Sequence, residues 1–287
     1  MVVLVTGAAG QLGQALKANA ALQSGIIFHF ATSAEADITN TDSLEAVFST
    51  VKPDFCINAA AYTAVDKAES EQDKAYAVNV TGAANLAHVC KNHNAVLIHI
   101  STDFVFDGLK KLPYTEDDVT NPQSVYGDTK RKGETAIQDV LDRHYILRTS
   151  WLYSEYGNNF MKTMLRLGNE RDTLSVVNDQ TGTPTNANDL ANAVIAIILY
   201  NTDNTKNEKF GLYHFSNEGH CTWYDFAKKI FEVSKITIDL QPITTADYPT
   251  PAKRPGYSVL NKSKIKQAFG ITVPQWEESL RQTLVQA

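Results

Sequence analysis

A phenol and an ammonium stand four positions apart in Tyr126-Gly127-Asp128-Thr129-Lys130. On a helix that spacing puts both on one face. An ammonium beside a phenol favours the phenolate and draws the tyrosine pKa toward the working range, which suits proton donation to a carbonyl oxygen. The same pair also fits an ordinary solvated helix face. Its company favours chemistry: the hydroxyl-bearing Ser101-Thr102-Asp103 directly follows an apolar run, and a glycine-rich turn stands near the N-terminus.

That turn is Thr6-Gly7-Ala8-Ala9-Gly10-Gln11-Leu12-Gly13. Glycines between a strand and a helix allow a tight turn, close approach of a pyrophosphate to the backbone, and helix–strand contact, while the helix N-terminus attracts the phosphates. The spacing is G-x-x-G-x-x-G rather than the commoner G-x-G-x-x-G, and glycines also fill purely structural turns. Its place directly after an apolar strand points to a dinucleotide. The carboxylate that often follows the second strand, holding a ribose and repelling a 2′-phosphate, is missing from Phe30-Ala31-Thr32-Ser33; the next one is Glu35. No arginine stands there either, so both NADPH and NADH remain open as cofactors. Asn58-Ala59-Ala60-Ala61 ends another apolar run. Its small side chains let a cofactor lie close, or a helix pack tightly.

These groups need a scaffold. Short apolar runs at 2–5, 26–30, 55–58, 96–100 and 145–148 predict strands, and helical periodicity at 12–20, 43–50, 73–92 and 124–141 falls between them. Such alternation is the pattern of an α/β, Rossmann-type doubly wound parallel sheet covered on both faces. Asp42 with Glu45 resembles a capping box, and Asn121-Pro122 a helix start. After about residue 150 the rhythm loosens into aromatic, Asn/Gly-rich and Pro-rich loops, while an apolar helix near 189–200 and a strand at 211–215 return to the sheet. The expected division is therefore interleaved: 1–152 with 186–217 as the dinucleotide-binding domain, and 153–185 with 218–287 as a smaller substrate-binding lobe.

Composition limits the partners. At 287 residues, 43% apolar and net charge −6 with no basic block, the chain reads as soluble and globular, with neither nucleic acid nor an anionic membrane as partner. Three sparse cysteines, Cys56, Cys90 and Cys221, without metal-like spacing suggest buried thiols in a reducing cytoplasm. No leader pattern precedes the first strand, so no export is expected. The longest apolar stretch, 190–200, is too short to span a bilayer. His88 and His93 read as a helix and its end, not as metal ligands.

Taken together, these motifs resemble the extended short-chain dehydrogenase/reductase family, and within it a branch of keto-sugar-nucleotide reductases. The likeness runs through GQLG at 10–13, Asp37-Ile38, NAAAYTAVDKAE at 58–69, STDFVFDG at 101–108 and YGDTKRKGE at 126–134. It continues in RTSWLY at 148–153, GNNFMKTMLRL at 157–167, VNDQTGTPT at 177–185 and YPTPAKRP at 248–255. The resemblance implies NAD(P)H-dependent reduction of the C4 ketone of dTDP-4-dehydro-L-rhamnose to dTDP-L-rhamnose. It implies Tyr126 as proton donor, Thr102 as a hydrogen-bonding partner of the carbonyl, and Lys130 as the group that orients the nicotinamide ribose and tunes Tyr126. Gly7, Gly10, Gln11, Leu12, Gly13, Asp37, Ile38 and Ala59 to Ala61 would line the cofactor, with Asp37 near the adenine. Thr102, Asp103, Trp151 and Arg254 would meet the dTDP-sugar.

Blander roles compete. Asp37 also suits the approach to a helix, Trp151 a lobe-junction core, and Arg254 a solvated surface rather than the substrate diphosphate. Phe104 stands where the family usually has Tyr in STDYVFDG. Some bacterial members dimerise through glutamates around magnesium; the matching positions here are Ala15 and Asn188, poor ligands for that ion. A monomer with no metal is expected. Rival readings are an epimerase or dehydratase on the same fold, and a non-catalytic regulatory subunit resembling that of methionine adenosyltransferase.

Overall fold

In the computed structural model, which describes residues 1–23, 25–203 and 209–286, five parallel strands alternate with helices in the first half of the chain. The strands are β1 (Val2–Thr6), β2 (Ile27–Ala31), β3 (Phe55–Asn58), β4 (Val96–Thr102) and β5 (His144–Thr149). The strand Gly211–His214 adds to β5, giving the order 211–214, β5, β4, β3, β1, β2, parallel throughout. Helices α1 (Gln11–Ala20), α2 (Thr41–Val51), α3 (Val65–Ala68), α4 (Gln72–Tyr76), α5 (Gly82–Asn92) and α6 (Val125–Val140) come from the first half, and α7 (Phe160–Glu170), α8 (Ala187–Asp203) and α9 (Trp223–Ser234) from the second.

Both faces of the sheet are covered, so its strands carry almost unbroken apolar runs. Val3 and Val5 meet Leu12 and Leu16 of α1 and Leu190 and Val194 of α8 on one side. Leu4, between them in sequence, meets Leu44 and Phe48 of α2, Leu86 of α5 and Ile137 of α6 on the other. All three cysteines are buried and free.

The chain steps outward from β1 to β2, then crosses back to lay β3 on the opposite side of β1. Strand order reverses there, and the carboxyl ends of the two strands diverge into a crevice. Register puts Thr6 beside Asn58 and Thr102 beside Thr149 at that end. Beyond the sheet, α7 and α9 enclose a second core with Met161, Met164, Phe226, Ile230 and Trp276. The paired strands Thr173–Val177 and Asp239–Ile243 lie beside it. No helix among the described residues is long and apolar enough to cross a membrane.

Three local expectations are corrected. The helix expected over 73–92 is α4 and α5 joined by a π turn, Ala77–Thr81. Within it the Asn79 side chain accepts from Tyr62 N and donates to Thr129 Oγ1, and a Cβ on Gly133 of α6 would lie 2.2 Å from the Asn79 carbonyl. The extra residue of the turn presses this backbone onto α6. At α2, the cap is Asn40, which accepts from Ser43 N, rather than Asp42; Glu45 instead bonds His93. The cap of α6 is Ser124, accepting from Gly127 N, two residues beyond Pro122.

Candidate active site

A cleft of about 670 Å³ opens at the carboxyl ends of the strands and contains most of the residues singled out from sequence. Gly10, Gln11 and Leu12 form one wall, Ala59 to Ala61 the floor, and Thr102, Asp103, Tyr126 and Lys130 the opposite wall. Trp151 and Arg254 close the outer end. Gly7, Gly13, Asp37 and Ile38 are not part of its lining.

Gly7 and Gly13 work behind the surface. Gly7 has φ +71, and a Cβ on it would lie 2.5 Å from Ala60 N; a Cβ on Gly13 would lie 2.5 Å from Gly7 O. The turn thus folds against β3 and delivers Gly10 as the N-cap of α1, with no capping side chain and no acidic residue in the first turn. Uncapped amides at a helix start facing a cleft suit an anion such as a pyrophosphate. Gln11 adds a role that the sequence did not suggest. Its Oε1 accepts from Ser154 Oγ (3.0 Å) and Asn159 Nδ2 (2.9 Å), tying the glycine turn to the loops before α7.

Beyond β2, Asp37 Oδ1 accepts from Thr39 N and Oγ1, a local turn, and Ile38 is buried against Gly82. Glu35 lies four residues past the end of β2. The chain doubles back so that Glu35 accepts from Thr32 N (2.8 Å) and Thr32 Oγ1 (2.9 Å), and the Thr32 backbone bond holds its pKa below the usual range. A carboxylate therefore stands at the turn that follows β2.

Tyr126 and Lys130 lie one turn apart on α6, which reaches the strand ends because Gly127 has no side chain: a Cβ there would sit 2.2 Å from Phe104 O. The Phe104 ring meets Tyr126 edge-on, with centroids 5.5 Å apart. Burial pushes the Tyr126 phenol up to about 12; the Thr102 hydroxyl pulls it down and the Asp103 carboxylate pushes it up. The lowering expected from a neighbouring ammonium is absent, since Lys130 Nζ points away, to Ile100 O at 2.7 Å and His99 Nε2 at 3.2 Å. Burial lowers Lys130 to about 8, with Glu134 opposing.

Asp103 is 2% exposed; its Oδ1 accepts from Thr102 Oγ1 at 3.1 Å, and burial raises it to about 6. Trp151 adopts φ +46, strained for a bulky residue, and stacks on Trp223 at 3.5 Å with Gly182 close behind it. Trp223 and Phe160 also line the cleft, and sequence reasoning missed both. Aromatic residues at helical spacing read as core, and nothing in the sequence joined α9 to Trp151. Arg254 is in the cleft but already paired, gripping Asp66 through Nη1 (3.0 Å) and Nη2 (2.8 Å) and holding that carboxyl below its usual pKa.

The whole chain, residues 1–287, matches the family model described as the RmlD substrate binding domain. It is 46% identical to a dTDP-4-dehydrorhamnose reductase of Aggregatibacter actinomycetemcomitans, covering 97% of each chain. A crystal structure of a dTDP-4-dehydrorhamnose reductase from Clostridium acetobutylicum superposes with TM-score 0.93 at 41% identity, over 100% of both chains. A dTDP-4-dehydrorhamnose reductase from Bacillus anthracis, in complex with NADP, gives TM-score 0.91 at 38% identity over 100% of this chain and 99% of the other. By a full-length match and this level of identity, the chain belongs to the RmlD substrate-binding family.

Proposed function

We propose that this chain is an NAD(P)H-dependent sugar-nucleotide reductase that reduces the C4 ketone of dTDP-4-dehydro-L-rhamnose to dTDP-L-rhamnose. One observation carries the reading: Tyr126, Thr102 and Lys130 face a single cleft whose opposite wall is the uncapped start of α1. The first-turn amides of α1 would hold the pyrophosphate of the dinucleotide, Ala59 to Ala61 would let it lie close, and Lys130 would bind its ribose. A bound reduced nicotinamide supplies the hydride. Thr102 orients the ketone oxygen, and Tyr126 gives it a proton as negative charge develops there. Asp103, Trp151 and Arg254 hold the sugar nucleotide, with Arg254 exchanging part of its Asp66 contact for phosphate oxygens.

On this reading, residues 1–152 and 186–217 bind the dinucleotide, 153–185 and 218–287 hold the substrate, and the protein acts in the cytoplasm. The test is absorbance at 340 nm with dTDP-4-dehydro-L-rhamnose and each reduced cofactor in turn. Substrate-dependent loss of absorbance is expected; binding of nicotinamide without turnover would leave the regulatory reading in its place.

Glu35 bears on the choice of cofactor. A carboxylate just past β2 disfavours a 2′-phosphate, but this one is well exposed and screened. Both cofactors are expected to serve. Glu35→Gln should lower the KM for NADPH about two- to five-fold, the range of an exposed charge contact, and leave NADH almost unchanged. Equal shifts for both cofactors would remove Glu35 from the ribose site.

We also propose that the chain works as a monomer without a bridging metal. Ala15 is fully buried and has no ligand atom, and the Asn188 amide is engaged by Asn19 and Glu155. Light scattering should give the same monomeric mass with and without EDTA; a dimer that EDTA dissociates refutes this.

A further inference from the structure

Behind Lys130 a row of polar side chains crosses the middle of the sheet. Thr6 Oγ1 donates to Asn58 Oδ1 at 2.9 Å, Asn58 Nδ2 lies 3.0 Å from His99 Nδ1, and His99 Nε2 lies 3.2 Å from Lys130 Nζ. None of the four is more than 2% exposed. A polar row this deep is unfavourable unless each member is satisfied, so its donors and acceptors have to be consistent.

Working along the row leaves little freedom. Asn58 Oδ1 also receives the backbone N–H of Ala60 at 3.1 Å. A backbone N–H only donates, so the amide oxygen faces Ala60 and the amide NH₂ faces His99. His99 Nδ1 must then be the acceptor, and a neutral ring carries its one proton on Nε2, aimed at Lys130. An ammonium has donors only. The contact closes when Lys130 is the amine, its lone pair accepting from His99 and one of its hydrogens going to Ile100 O. The reverse arrangement, an ammonium donating to bare Nε2, requires a proton on Nδ1 and a turned Asn58 amide, which deprives Ala60 N–H of its acceptor.

The charged surroundings are few. Glu134, one turn along α6, favours the ammonium but is itself held by Arg148 of β5 through Nε (2.9 Å) and Nη2 (2.7 Å), and lies 3.7 Å from Arg131. His144 of β5 is the other titratable group acting on His99, and burial keeps the His99 ring neutral. Tyr126 and Asp103 face the row from the cleft.

We propose that His99, its ring oriented by Asn58, is a positioning residue for Lys130: it donates from Nε2 to the lysine amine and thereby sets the pH above which the ammonium is lost. The proposal rests on the reading that Lys130 serves the reaction. It extends that reading by naming what controls the charge of Lys130. The ammonium form binds the ribose on that reading, so activity falls as pH rises through the Lys130 pKa, and His99 pulls that limb downward.

Two measurements test this. In protein labelled with ¹⁵N-histidine, long-range ¹H–¹⁵N spectra distinguish the tautomers, and His99→Gln assigns the signals. Above about pH 8, where Lys130 is the amine, His99 should be the neutral Nε2–H form; an Nδ1–H ring or an imidazolium there overturns the proposal whether or not any enzyme activity is found. The second measurement is the pH profile of kcat/KM, which reports groups of the free enzyme. His99→Leu removes a donor that favours the amine, so the alkaline limb should move up by about half to one pH unit. If the ring instead accepts from the ammonium, the limb moves down. A downward or absent shift refutes the proposal, and if the variant fails to fold, the tautomer of the parent protein decides. An Nε2–H ring in a protein that reduces no keto-sugar supports the His99 assignment and refutes the reductase reading.

Discussion

Tyr126→Phe is expected to lower kcat by about 10²–10⁴-fold, the usual contribution of general-acid assistance, while fold and cofactor affinity survive. The substitution removes one hydroxyl. The ring keeps its edge-on contact with Phe104, and α6 keeps its Ser124 cap. Lost is the proton donor whose hydrogen-bonding neighbour is Thr102. Hydride arriving at a ketone carbon leaves charge on oxygen, and Thr102 alone can stabilise it only as a neutral donor. At about 12, the phenol lies far from the lowered value that the sequence suggested. It therefore keeps its proton at neutral pH and releases it to the much more basic oxygen that forms in the reaction. Turnover at 340 nm with saturating cofactor, beside a thermal melt, checks this. Near-normal turnover in a folded variant would show that the proton comes from elsewhere.

The sequence made the chemistry legible where contacts are local, and lost it where the chain folds back. Tyr126 and Lys130 were readable because one helical turn joins them, and the sheet because Val3, Leu4 and Val5 alternate between two covered faces. Glu35 was legible only as the next carboxylate after Ser33, and the short turn that brings it to Thr32 was not. Trp223 is 72 positions from Trp151 and stacks on it; helical spacing gave no hint of that partnership. The tuning expected between Lys130 and Tyr126 misjudged where the lysine points. Two groups of β4, Ile100 O and His99 Nε2, hold Nζ instead, and neither can be inferred from a Tyr-x-x-x-Lys spacing. The π turn escaped for a related reason: periodicity continues through 73–92, and only the approach of Asn79 to Gly133 explains the extra residue.

Lys130→Met should damage cofactor binding, turnover and stability together. On the reductase reading its ammonium makes charge-assisted hydrogen bonds to the ribose. Losing them should weaken cofactor affinity about 10–100-fold, from the value of hydrogen bonds to a charged group. Turnover falls as well, because a cofactor held less firmly at its ribose meets the ketone less often in the reactive orientation. A third effect comes from the interior. Methionine matches the length of the lysine stem but leaves Ile100 O and His99 Nε2 without a partner in a site where Lys130 is 2% exposed. Each buried group left unpaired is destabilising by roughly 1–3 kcal/mol, so Tm should fall by several degrees. Lys130→Arg should not rescue the site, since a planar fork cannot occupy the space of a single Nζ set between a carbonyl and an imidazole. Calorimetric titration with NADPH separates binding from chemistry, and a melt separates both from folding. Unchanged cofactor affinity in a well-folded Lys130→Met variant would take Lys130 out of the cofactor site and leave it only its place against β4.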